Sequence, residues 1–277
     1  MKLLIVDDME GISGVVDWSH VDSQNAEYQR FRKIMTDEVN AAIGGAFDGG
    51  ADEVVVSDGH SGGRNIMIEG LDPRVRLNCH FPSPYQMVQG IDDGVDAMLM
   101  IGYHARYGTQ GGVLAHTFTL SVVNAWLNDR LVGEIGFNAS VAGYFGVPVL
   151  MISSDQAGCN EAAELIPEIE TVAVKQGSGI FAAECLPPEV AQRQIRETAA
   201  RVVSRFKDGK YPASVGTSAP VTLTVEFNNA ANADNVSIAP GVERIDGRKV
   251  KIEVADMPEA YRALFMMLEL AGSIFRL

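Results

Sequence analysis

Three acids, Asp8, Glu10 and Glu134, and three histidines, His60, His104 and His116, stand in or just after the segments where patterned runs of this chain give out. Leu3-Leu4-Ile5-Val6 stops at Asp7-Asp8, skips Met9 and adds Glu10; Val54-Val55-Val56 runs into Ser57-Asp58-Gly59-His60; Met98-Leu99-Met100-Ile101 runs into Gly102-Tyr103-His104. His116 follows a glycine-rich loop and Glu134 an alternating stretch. Imidazole and carboxylate are the ligands zinc takes when thiolate is not used, and a catalytic zinc keeps one position open for water. Six such groups suffice for two metals, and a carboxylate such as Asp8 could bridge ions ~3.5–4 Å apart, the spacing of two-metal hydrolytic sites. Asp8 and Glu10, two apart, share a side if strand geometry persists. Asp7 then points to the opposite face, as a structural or supporting group. His20 and His80 lie in loops without such company and read as structural.

Groups so far apart in sequence meet only if the elements carrying them end at one rim. Open α/β sheets provide that rim, binding ligands beyond the carboxyl ends of their strands. Between the first two apolar runs, a helix is expected over 26–47, with Phe31, Ile34, Met35, Val39, Ala42, Ile43 and Ala46 on one face. Strand, helix and strand in succession imply a right-handed parallel unit. A hairpin over 123–131 turns at Asn128-Asp129 and returns into Val132-Gly133-Glu134. A small-residue helix over 138–145 precedes a strand over 147–152, which also ends in polar residues. Helices follow over 159–165 and 188–206, strands over 221–227 and 249–254, and a final apolar helix over 258–275. The pattern predicts an α/β fold: a mostly parallel sheet with flanking helices over 1–206 carrying the metal site, and a smaller C-terminal α+β portion over 221–277 packed on it. The boundary, 207–220, is rich in Gly, Pro, Ser and Lys.

With 277 residues, 47% of them hydrophobic, the chain can bury a sizeable core. Its net charge of -14 argues against nucleic acid or an anionic membrane as partner, since Lys and Arg are what neutralise phosphates, and fits the cytoplasm. The opening apolar run is too short for a signal peptide, and no stretch approaches the ~20 apolar residues of a membrane span. Cys79, Cys159 and Cys185 are odd in number and widely spaced, which suggests neither a disulfide framework nor a thiolate metal site.

Two families resemble parts of this pattern. Leu4-Ile5-Val6-Asp7-Asp8 is similar to the first strand and acidic pair of phosphoacceptor receiver domains, with Asp58 as the acceptor. Later strand ends there carry a lysine and a Ser or Thr, whereas His104 and Glu134 stand here. The broader resemblance is to the D-aminopeptidase family of dizinc peptidases, characterised by an SxDxEG sequence. It rests on Asp8-Met9-Glu10-Gly11, Ser57-Asp58-Gly59-His60-Ser61, Gly102-Tyr103-His104-Ala105-Arg106, Ala115-His116 and Gly133-Glu134-Ile135-Gly136 with Asn138. Val141-Ala142-Gly143-Tyr144, Val147-Pro148-Val149-Leu150 and Ala173-Val174-Lys175-Gln176 extend it along nearly the whole chain.

That resemblance implies two zinc ions per chain, bridged by Asp8 and completed by Glu10, His60, His104 and Glu134, with His116 as the catalytic histidine. It implies hydrolysis of short, D-amino-acid-containing peptides from the N-terminus and a homo-oligomer, a ring-shaped decamer. Manganese or cobalt suits the same ligands. L-peptides, amino-acid amides or lactams are the alternative substrates, with Asn138 and the loop 106–112 shaping the choice. One departure stands out: Val6 occupies the first position of SxDxEG, where a serine could have supported the metal ligands by hydrogen bonding.

Overall fold

The computed structural model describes residues 1–273. The chain opens with β1 (Lys2–Asp7), which crosses through α1 (Tyr28–Asp48) to β2 (Glu53–Asp58), then β3 (Arg76–Asn78) and β4 (Ala97–Tyr103). A hairpin of β5 (Val122–Leu127) and β6 (Arg130–Leu131) leads to α2 (Glu134–Tyr144). Next come β7 (Val149–Asp155), α3 (Gln156–Leu165), β8 (Glu170–Gly179), β9 (Ala182–Cys185) and α4 (Pro188–Lys207). The remainder is β10 (Val221–Phe227), α5 (Ala230–Val236), β11 (Glu243–Arg244), β12 (Lys249–Val254) and α6 (Met257–Ser273).

The main sheet has the order β3-β2-β1-β4-β7-β8-β9 and is parallel except for β9. Its central strands are buried on both faces, hence their unbroken apolar runs. Leu4, Val6, Met98 and Met100 face the layer containing α2 and α6, and Leu3, Ile5, Leu99 and Ile101 face α1 and α4. From β1 the chain steps to β2 and β3 on one side, then returns to place β4 on the other. The crevice between β1 and β4 is therefore the topological switch point, where such sheets bind ligands. Register does the rest: Asp7 lies opposite both Asp58 and Ile101, so Asp8, His60 and His104 emerge together at one rim.

The second sheet is antiparallel, in the order β11-β12-β10-β5-β6. In β10, Val221, Leu223, Val225 and Phe227 are buried and the residues between them half-buried, the alternation of a sheet with one wet face. Two of its strands come from 122–131, so this sheet is not confined to residues after 220; residues 208–220 hold no helix or strand. The expected return strand through Glu134 is corrected. The strand ends at Leu131, Gly133 caps α2, and Glu134 opens the helix. That helix is buried nearly all round and shows little helical contrast in sequence. Lys175, Gln176 and Gly177 similarly obscure β8, and Asn-rich α5 was not anticipated. Positions 274–275 of the expected last helix lie outside the described residues. Among the described residues no helix is long and apolar enough to cross a membrane.

Candidate metal centre

Beyond β1, Asp8 N–H donates to Ile101 O (2.9 Å) and Gly11 N–H to Gly102 O (2.7 Å), which folds the turn 8–11 onto the end of β4. A Cβ on Gly11 would sit 1.8 Å from Tyr103 O, so only glycine permits this approach. The turn brings Glu10 beside Asp8, with both carboxylates buried.

Lys175 fixes the same segment from β8. Its buried ammonium donates to the backbone carbonyls of Glu10, Ile12 (3.0 Å) and Val15 (2.6 Å). Burial lowers its pKa to about 8. Glu38 of α1 accepts from Ser13 N–H (3.0 Å), and burial raises its carboxyl to about 7. Neither residue was singled out from sequence for a role, although a lysine directly after the run Val172-Ala173-Val174 is visible in the sequence.

The His60 loop is held by Asp58, whose carboxylate accepts from the N–H groups of Asn65 (2.5 Å) and Ile66 (2.8 Å) and from Asn65 Nδ2 (2.7 Å). Asp58 is a loop anchor in this arrangement, with both oxygens engaged.

Each of the three clustered histidines has one ring nitrogen against a backbone carbonyl: His60 Nε2 on Val21 O (3.0 Å), His104 Nδ1 on Ala105 O (2.9 Å) and His116 Nδ1 on Leu114 O (3.0 Å). A carbonyl only accepts, so that nitrogen carries the proton and the other faces inward. His60 Nδ1 then lies 3.3 Å from Asp8 Oδ1 and 3.0 Å from Glu10 Oε2. His104 Nε2 lies 3.4 Å from Asp8 Oδ2 and 3.2 Å from Glu134 Oε1; His116 Nε2 is 3.8 Å from Glu134 Oε1. Glu134 itself is steadied by Phe118 N–H (2.6 Å) and sits in the first turn of α2, where the helix dipole favours a carboxylate.

Neutral imidazole nitrogens facing carboxylate oxygens are acceptors facing acceptors. Cations resolve the contact, as protons or as metal ions. Burial alone would lower the His60 pKa, but Glu10 and Asp8 outweigh it and hold it well above the usual range. His104 is raised likewise against burial by Glu134 and Asp8. Burial would raise Asp8, yet the two histidines hold it well below the carboxylate range. Asp8 Oδ2, Glu10 Oε2 and His104 Nε2 are buried without a hydrogen-bond partner among the described residues. Orphaned acceptors and histidines anchored at the far nitrogen are what metal ligation requires.

Asp8, Glu10 and His104 can bring ligand atoms within 4.8 Å of one another, as can His104, His116 and Glu134. His60 joins the first group through its contacts with Asp8 and Glu10. By proximity His116 fits the second group as well as it fits a role beside the ligands, and its ring stacks on His104 at 4.2 Å between centroids. Asp8 presents one oxygen to His60 and the other to His104, as a bridging carboxylate must.

Three sequence-singled residues stand apart. Asp7 is buried, and neither of its oxygens has a hydrogen-bond partner among the described residues. Burial, then Asp58 and Asp8, pushes its pKa well above the usual carboxylate value. Val6 is fully buried in the apolar layer with Leu4 and Met100. Asn138 was expected to touch substrate, but it is fully buried behind the centre. Its Nδ2 donates to the Tyr103 hydroxyl oxygen (2.9 Å), and its Oδ1 accepts from the Tyr261 hydroxyl (2.6 Å). That corrects the expectation: Asn138 braces the core.

A cleft of about 1430 Å³ opens on Asp8, Glu10, His60, His116 and Glu134, walled by Trp18, Phe81, Phe118 and Leu268. Fold and site together define an α/β protein with a buried carboxylate–imidazole cluster, suited to holding metal, at its switch point. The chain belongs to the D-aminopeptidase family, whose model matches residues 1–266. It is 43% identical to the D-aminopeptidase of Bacillus subtilis (strain 168) over 272 residues, 98% of each chain. Its fold matches the solved structure described as the Zn-dependent D-aminopeptidase DppA from Bacillus subtilis, a self-compartmentalizing protease. The TM-score is 0.94, with 41% identity and 98% of both chains covered.

Proposed function

We propose that this protein is a zinc-dependent aminopeptidase that removes N-terminal residues from short peptides containing D-amino acids. The observation that carries the reading is Asp8, shared between two histidines whose outer nitrogens are tied to carbonyls. Asp8, Glu10, His60, His104 and Glu134 would hold two zinc ions, and the solved structure described as Zn-dependent supports that choice of metal. When bound, the ions supply Lewis-acid polarisation and activation of water at neutral pH.

The chain's own groups do the rest. Glu10 and Glu134 offer negative charge to a peptide's free ammonium, which favours cleavage at an N-terminus over cleavage within a chain. His116 has its Nδ1–H committed to Leu114 O, so Nε2 is the atom that can pass a proton to the departing amine. Trp18, edge-on to His116 at 5.3 Å between centroids, shields that transfer from water. A homo-oligomer, in finer form a ring-shaped decamer, is part of the proposal; it draws support from the self-compartmentalizing neighbour and is tested by sedimentation. The acidic charge suits a cytoplasmic location.

The experiment is a screen of matched D- and L-dipeptides and amino-acid amides with metal content measured on the same sample. Faster turnover of D-aminoacyl peptides with zinc bound is expected. A preference for L-peptides, amides or lactams would leave a metal-dependent amide hydrolase and overturn the substrate.

A further inference from the structure

The centre accounts for a substrate's amine and scissile carbonyl but leaves the other end of a short peptide without a partner. Arg64 lines the same cleft. Its side chain is exposed there, and among the described residues it makes no ion pair or side-chain hydrogen bond, although most arginines of this acidic chain hold a carboxylate. Arg32, the other arginine on the cleft wall, donates from Nε to Asn65 O (2.8 Å) and from NH2 to Ile66 O (3.3 Å), and so is committed to the loop.

That loop is stiff. Asp58 holds Asn65 and Ile66, Tyr28 OH donates to Asn65 Oδ1 (2.8 Å), and Gly63 N–H closes a turn onto His60 O (2.9 Å). Arg64 is therefore carried at a set position four residues from His60. Four residues span at most ~14 Å when extended, and the turn shortens this; an extended dipeptide or tripeptide spans ~7–10 Å. A guanidinium is the side chain best matched to a carboxylate, through paired parallel hydrogen bonds.

We infer that Arg64 binds the C-terminal carboxylate of the substrate, so that the enzyme selects dipeptides and tripeptides with a free carboxyl end. Amine and carboxylate are then read at opposite ends of one cleft, with the scissile bond between them. The inference rests on the aminopeptidase reading above.

The test compares kcat/KM for D-alanylglycine and for its C-terminal amide, using the zinc-loaded wild type, Arg64→Met and Arg64→Lys. The wild type should prefer the free acid by about 10- to 100-fold, chiefly through KM, the scale of a charge-assisted pair. Arg64→Met should bring the ratio to within about threefold of unity, and Arg64→Lys should recover part of it. A wild type indifferent to amidation, or a ratio unchanged in Arg64→Met, overturns the carboxylate site while leaving the aminopeptidase reading intact. Failure to cleave either peptide overturns both.

Discussion

Replacing Glu38 by Gln should stabilise the protein, and by an amount that grows with pH. The carboxyl is buried, and burial raises its pKa from 4.5 to about 7, against the opposing pull of the Ser13 N–H and of Lys175. Between those two values the folded chain holds a proton that the unfolded chain has released, so stability falls as pH rises through the interval. Above it the carboxylate is charged in both states, and the burial cost is fully present. At about 1.4 kcal/mol per tenfold in acidity, the deficit reaches ~3 kcal/mol at pH 8 and is below ~1 kcal/mol at pH 5. Gln keeps an oxygen for the Ser13 N–H without the charge, and Lys175 retains Asp155, the larger of its acidic influences. Thermal melting of wild type and variant should therefore differ by ~5 °C at pH 8 and by under ~2 °C at pH 5. A gap that is flat across this range, or a variant that melts lower at pH 8, would refute the reasoning.

Lys175→Met strands three buried carbonyls on the segment that carries Glu10. It should cost ~2–4 kcal/mol in denaturation and weaken zinc ~10- to 100-fold in competition with a chelator; undiminished zinc affinity would show that Lys175 does not position Glu10. His116→Ala should lower turnover by ~100-fold or more while metal content stays at two per chain. Loss of one metal instead would move His116 among the ligands, where its 3.8 Å approach to Glu134 also allows it to belong.

Strand ends were legible because a parallel sheet buries its strands on both faces, so each apolar run stops abruptly at the rim where Asp8, His60 and His104 emerge. Pairing was less so. β5 and β10 lie about a hundred residues apart, and nothing local in 122–127 announces that its partner is 221–227. Glu134 was singled out as a candidate ligand but placed on a strand, because a helix buried nearly all round shows little amphipathic period. Asn138 was misread for a related reason: a polar residue near a site can serve the core, and only the hydroxyls of Tyr103 and Tyr261 on its amide reveal that. Lys175 and Glu38 act through contacts spanning well over a hundred and about twenty-five residues of chain, which spacing alone does not encode. Val6 is settled as an apolar core residue; a serine there would place a hydroxyl in the layer with Leu4 and Met100.

The central claim is that Asp8 joins two metal ions required for peptide cleavage. The direct measurement is a zinc titration of chelated protein, followed by metal analysis and by cleavage of a D-aminoacyl dipeptide, on the wild type and on Asp8→Asn. The wild type should bind two zinc ions per chain and recover activity as they bind, while Asp8→Asn should lose both tight binding and activity. Full activity in the chelated wild type, or two tightly held zinc ions in Asp8→Asn, would contradict it.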